Sequence, residues 1–110
     1  MLSVTPRSLG KLAIVAAISL LLGGAHAYAE DTGVTIDNFT FQPAELTVKV
    51  GTTVTWTNHD DIPHTVVSAG KFRSKTMDTD DHYSFTFTAA GDYKYFCSLH
   101  PHMTGTIKVE

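Results

Sequence analysis

Beyond residue 29 the apolar residues recur at every second position, and that period leaves few folds open. Leu46, Val48 and Val50 alternate with Thr47 and Lys49, and Val54 and Trp56 with Thr53, Thr55 and Thr57. Phe85 and Phe87 alternate with Ser84, Thr86 and Thr88, and Ile107 and Val109 with Thr106 and Lys108. Side chains two apart share one face of a strand, so this is the pattern of half-buried β-structure, and no stretch sustains a 3.6-residue period. Residue usage agrees. The segment holds 15 Thr, 7 Val and 3 Ile against 2 Leu and 4 Ala, and β-branched side chains suit a pleated sheet but lose rotamer freedom in a helix. Turn signals at Gln42-Pro43, Val50-Gly51, Asp61-Ile62-Pro63, Ala69-Gly70 and Ala90-Gly91-Asp92 divide it into strands over 34–41, 46–50, 53–58, 64–68, 82–88, 92–97 and 104–109. The spacing predicts an all-β domain, an antiparallel Greek-key sandwich or barrel of about seven to eight strands. Residues 71–81 carry no period and are expected to form a loop.

The first 29 residues follow a different grammar. Arg7 and Lys11 precede a run, 12–22, that is apolar except for Ser19, and Ala27-Tyr28-Ala29 or Ala25-His26-Ala27 supplies the small residues of a cleavage site. This is the pattern of a cleavable secretory signal. Its 11-residue apolar core is short of the roughly 20 residues that span a bilayer, so export to the periplasm is expected rather than stable membrane insertion. The expected organisation is a signal peptide over 1–29 and one domain over 30–110. Those 81 residues carry 6 Lys and Arg against 11 Asp and Glu, a net charge of -5. Nucleic acid is therefore not an expected partner, because phosphate binding needs a basic surface. A domain this small gains only marginal stability from its core and calls for disulfides, a metal or a partner. One cysteine excludes an intramolecular disulfide, so a metal is the first thing to seek.

The segment Cys97-Ser98-Leu99-His100-Pro101-His102-Met103 places a thiol, an imidazole and a thioether three residues apart. Pro101 fixes its own φ and restricts His100 before it, which stiffens such a loop. His64, after Pro63, offers a fourth donor that strand pairing can bring beside Cys97. One thiolate, two imidazoles and a thioether suit copper, cycling between Cu(I) and Cu(II), better than a hard cation. A zinc site of Cys97, His64, His100 and His102 is also open to these residues, but it leaves the Met103 thioether idle. The copper set is favoured, with His102 exposed. Asp60-Asp61 and the acidic run 78–81 read as solvated loops, and Trp56 and Phe85 as core.

With these residues the chain resembles the cupredoxins, the type 1 blue copper proteins, and within them the amicyanin type of the plastocyanin–amicyanin group. The resemblance runs through Phe41-Gln42-Pro43, the segment 50–58, Pro63-His64 and the loop from Cys97 to Met103. It implies that His64, Cys97, His100 and Met103 bind one copper ion. It also implies that Asn58 is a hydrogen-bonding neighbour tying the two ligand loops together near the Cys97 sulfur. The function it implies is electron transfer, not catalysis: single electrons shuttled between redox proteins, such as a c-type cytochrome, a dehydrogenase or a reductase, by transient docking of a monomer. The edge of His100 is then the electron exit, rimmed by Ile62, Pro63, Met77, Leu99, Pro101 and His102. Leu99 and His102 stand where amicyanins typically carry Pro and Phe. The competing function is copper handling, as chaperone, store or tolerance factor, although with 3 Met in the chain, the initiator included, its composition is not Met-rich.

Overall fold

The computed structural model describes residues 31–110, so the expected signal peptide lies outside the described residues. Among the described residues nine strands follow one another: β1 (Asp31–Asp37), β2 (Thr40–Gln42), β3 (Glu45–Val48), β4 (Thr53–Asn58), β5 (Val67–Ser68), β6 (Phe72–Arg73), β7 (His82–Thr86), β8 (Gly91–Cys97) and β9 (His100–Val109). They form two sheets, ordered β2-β1-β4-β7 and β3-β9-β8-β5-β6, packed as a sandwich. The all-β expectation holds, but the pairing is mixed rather than antiparallel throughout. β1 runs parallel to β4, and β3 parallel to β9. A parallel pair needs a crossover, and here β2 and β3 supply it as the chain leaves the first sheet for the second before returning as β4.

The alternation becomes the core. Along β4 the residues Val54, Trp56 and Asn58 are buried while Thr53, Thr55 and Thr57 are half-buried. Val34 and Ile36 from β1 join them, facing Tyr95, Cys97, Ile107 and Val109 of the second sheet. Fully burying a Val or Ile contributes about 1.5–3 kcal/mol. Trp56 lies at the centre, edge-on to Tyr95 at 5.4 Å and tilted against Phe72 and Tyr83 at 5.5 and 5.8 Å.

Three expected elements take another form, and all three border the site. The first predicted strand breaks at Asn38 and Phe39, both in the left-handed region with φ of 51° and 59°, which turns β1 back into β2. The segment 71–81 is not a free loop: it contains β6, buries Phe72 in the core and returns to pair Met77 with His64. A two-residue strand and a single bridge are too short to print a period on the sequence. The last strand begins at His100 rather than at residue 104, which shortens the predicted loop to a two-residue turn, Ser98 and Leu99.

Candidate metal centre

The site lies at one end of the sandwich, where β4, β8 and β9 meet the segment leading into β5. Cys97 closes β8 and His100 opens β9, paired directly across the Ser98-Leu99 turn. Residues opposed in this way carry Cβ atoms about 5 Å apart, so the thiol and the imidazole are brought together by the hairpin itself. The next pair is Phe96 with Thr104, so Pro101, His102 and Met103 are extra residues bulging from β9. Such a bulge re-aims side chains beside a functional site. Within it Met103 is buried, while Pro101 and His102 are exposed.

His64 arrives from the other side. Its backbone pairs with Met77 in both directions, at 3.1 and 2.9 Å, and its ring is fully buried. His64 Nε2–H donates to Asp60 Oδ2 at 2.7 Å, which fixes the tautomer and leaves the Nδ1 lone pair facing the site, as carboxylate partners do for metal-binding histidines. Asp60 also accepts the backbone N–H groups of Asn38 and Phe39, at 2.7 and 3.0 Å. Burial pushes its carboxyl up, but the bonds from Phe39, His64 and Asn38 outweigh this and hold it below the usual carboxylate range. Asp60 is thus a buried carboxylate with three donors on it, not part of a solvated loop.

Three donor atoms converge. His64 Nδ1 and His100 Nδ1 are 3.2 Å apart, and Cys97 Sγ is 3.7 Å from the first and 3.6 Å from the second. Two nitrogens about 2.0 Å from a metal and a sulfur about 2.3 Å from it, the bond lengths known for zinc, stand about 3–4 Å from one another, so these separations fit one ion. One thiolate and two imidazoles form the soft set that selects copper. His64, Cys97 and His100 are the one such group among the described residues. The exposed His102 is not in it, and the Cys-His-His-His alternative is not assembled.

Around the sulfur the expected tie between ligand loops exists, but another residue makes it. Asn58 is fully buried and donates to the carbonyls of Ile62 and Met77, both at 3.0 Å, while accepting the Asp60 N–H at 2.9 Å. It therefore knits the approach to His64 to the returning segment, and none of these bonds reaches the Cys97 turn. Thr65 bridges the two loops instead. Its N–H donates to Cys97 Sγ at 3.3 Å, and its hydroxyl accepts the Ser98 N–H at 2.8 Å and shares a 2.8 Å hydrogen bond with the Ser98 hydroxyl. The register explains this, since Val67 pairs with Phe96 and antiparallel continuation brings Thr65 opposite Ser98.

Of the expected rim, Pro63, Leu99, Pro101 and His102 are exposed and Ile62 is half-buried. Met77 is not rim: its exposure is 3%, because the bridge to His64 draws it beneath the site. Phe39, which the sequence did not single out, stands 45% exposed with its ring edge-on to both histidines.

Residues 28–110 match the family described as copper binding proteins of the plastocyanin/azurin family. The amicyanin of Paracoccus versutus is 37% identical over 95 residues, covering 81% of this chain and 72% of the relative. The chloroplastic plastocyanin of Tetradesmus obliquus is 35% identical over 99 residues, covering 78% and 67%. Among solved structures, a purple cupredoxin from Nitrosopumilus maritimus superposes with a TM-score of 0.70 at 35% identity, covering 73% of this chain and all of that one. Sheet architecture, converging donors and sequence agree: the chain belongs to the cupredoxins, the copper-binding plastocyanin/azurin family.

Proposed function

We propose that this protein is a periplasmic electron carrier in which His64, Cys97, His100 and Met103 hold a single type 1 copper ion. The observation that carries the reading is the convergence of Cys97 Sγ with the two Nδ1 atoms at one end of the fold, two of the three residues fully buried. The family transfers electrons and does not catalyse reactions. Bound there, copper supplies a one-electron Cu(II)/Cu(I) couple. The chain's part is to keep the donors still. Asp60 holds the His64 ring, the Thr65 N–H holds the Cys97 sulfur, and the two-residue turn holds His100 opposite Cys97. Donors that barely move between oxidation states lower the barrier to electron transfer, and hydrogen bonds at the sulfur tune the potential.

His100 is half-buried, so its ring links the buried donors to the rim of Ile62, Pro63, Leu99, Pro101 and His102. An apolar rim of this extent suits a small, brief contact with a redox protein, such as a c-type cytochrome, a dehydrogenase or a reductase. The test is the visible spectrum of the exported protein with one equivalent of Cu(II), beside Cys97→Ser. An intense blue thiolate-to-copper band that bleaches with ascorbate, returns on oxidation and is missing in the variant is the expected result. A pale wild-type protein that nonetheless holds metal would overturn the proposal in favour of metal handling.

A further inference from the structure

We infer that Phe39 is a positioning residue of this centre: an aromatic cap, pinned by the Asp60 carboxylate, that keeps the His100 ring from swinging out of the site. The inference rests on the copper reading above and concerns this chain's own turn between β1 and β2.

Phe39 adopts φ 59°, a left-handed conformation that a bulky side chain seldom takes and that costs free energy. Its neighbour Asn38 is also left-handed, which asparagine tolerates. The Thr40 hydroxyl closes the turn onto the Asp37 carbonyl at 2.8 Å, and one carboxylate ties its two left-handed residues to the site. Asp60 Oδ1 accepts the Asn38 N–H, and Oδ2 accepts both the Phe39 N–H and the His64 ring N–H. The carboxylate that orients His64 therefore also sets where the Phe39 ring stands.

That ring does not serve the core, being 45% exposed. It lies edge-to-face with His64, centroids 5.6 Å apart and planes at 88°, and with His100 at 5.1 Å and 90°. Such T-shaped contacts are the favoured geometry for ring pairs. The two histidines differ in what else restrains them. His64 is fully buried and bonded through Nε2 to Asp60, so it needs no cap. His100 is part-exposed, and its polar contacts run inward from Nδ1 to Cys97 and His64. Phe39 and His64 are the rings that lie against His100 among the described residues, and of the two Phe39 is the one at the surface. Backbone strain kept at an exposed turn, with its aromatic ring set against both imidazoles, has its use there.

Phe39→Gly tests this without threatening the fold, because glycine is the residue that a left-handed turn favours. Phe39→Tyr keeps the ring edge and serves as the rescue. Two readouts apply: the rate at which the reduced protein gives Cu(I) to excess bathocuproine disulfonate, and the NMR relaxation of the His64 and His100 rings in metal-free protein. Phe39→Gly should release Cu(I) at least about tenfold faster, a factor equivalent to about 1.4 kcal/mol, at unchanged or higher melting temperature. Phe39→Tyr should stay within about twofold of wild type. In the metal-free protein, Phe39→Gly should mobilise the His100 ring and leave His64 ordered. Equal release from wild type and Phe39→Gly, or release from Phe39→Tyr as fast as from Phe39→Gly, would overturn the cap. If the wild type forms no blue band, the copper reading fails, and an unchanged His100 ring in metal-free Phe39→Gly separately removes the cap.

Discussion

The middle of the sandwich and its copper-binding end treat buried polar atoms in opposite ways. Among the described residues, only Trp56 Nε1 and Tyr95 Oη are buried without a hydrogen-bond partner, and both belong to the aromatic layer at the centre. At the other end Asn58, Asp60, His64 and Thr65 are equally buried, and each is bonded through its side chain. In the middle, apolar burial is large enough to carry two unpaired groups, each costing about 1–3 kcal/mol. At the end, donor atoms must be aimed as well as packed, and directional bonds do the aiming. The contrast predicts that substitutions in the middle change stability and leave the site alone, and that substitutions at the end do the reverse.

Gly105 gives the largest expected effect. The Tyr95 ring lies against it across the β8–β9 pair, and a Cβ at residue 105 would overlap Tyr95 Cζ and Oη and stand 2.9 Å from Cε1. Gly105→Ala must drive Tyr95 out of a layer already packed against Phe41, Trp56 and Phe72. The expected cost is about 3 kcal/mol, at the upper end for overpacking, read by urea unfolding of metal-free protein. The blue band of the folded variant should stay in place. A band moved as far as by a substitution beside Cys97 would break the separation between the two regions.

Tyr95→Phe sharpens the same contrast through pH. Burial pushes the Tyr95 hydroxyl up to about 12, with the Trp56 indole pulling slightly the other way, although the pair does not reach hydrogen-bond geometry. In the unfolded chain the phenol ionises near 10. The folded-state value is the higher one, so the contribution of this group is whole below about pH 10 and is lost as pH rises toward 12. Wild type should lose about 2 kcal/mol more than Tyr95→Phe across that window, measured as the difference between their stability–pH curves. Tyr83, raised by its own partial burial, is present in both proteins and cancels. Parallel curves would mean that Tyr95 ionises in the folded state as readily as in the unfolded one.

The same division decides what could be read from the sequence. β4 emerged with the bounds it was expected to have, because a strand inside a sheet prints its burial on every second residue. The three donors that converge, His64, Cys97 and His100, were legible because the chain has a single thiol with a histidine three residues on, and their chemistry is local. Asp60, Thr65 and Phe39 could not be found in the same way. Asp60 sits in an Asp-Asp pair typical of solvated loops, and its burial depends on N–H groups 21 and 22 residues earlier. The signals that could have found them were an Asp four residues before His64 and an Asn-Phe pair inside an apparent strand. Mixed pairing was equally out of reach, since register between distant strands leaves no local period.

Thr65→Val, the smallest expected effect on stability, is the most informative about the site. Valine keeps the shape and the backbone N–H that donates to Cys97, but it removes the hydroxyl that accepts from the Ser98 N–H and lies 3.8 Å from the sulfur. The two bonds to Ser98 lost with the hydroxyl lie in a part-buried turn, where the exposed Ser98 can turn to water, and together they cost about 1–2 kcal/mol, less than the Gly105→Ala effect. Its consequence for the copper centre should be larger than that figure suggests, because the tether between the His64 and Cys97 segments is gone and the surroundings of the sulfur are less polar. The thiolate-to-copper band and the reduction potential should therefore both shift, with metal-free stability falling less than in Gly105→Ala. A variant that loses stability but keeps the wild-type band and potential would make Thr65 a structural residue only. The sulfur would then be set by the backbone N–H and the turn alone.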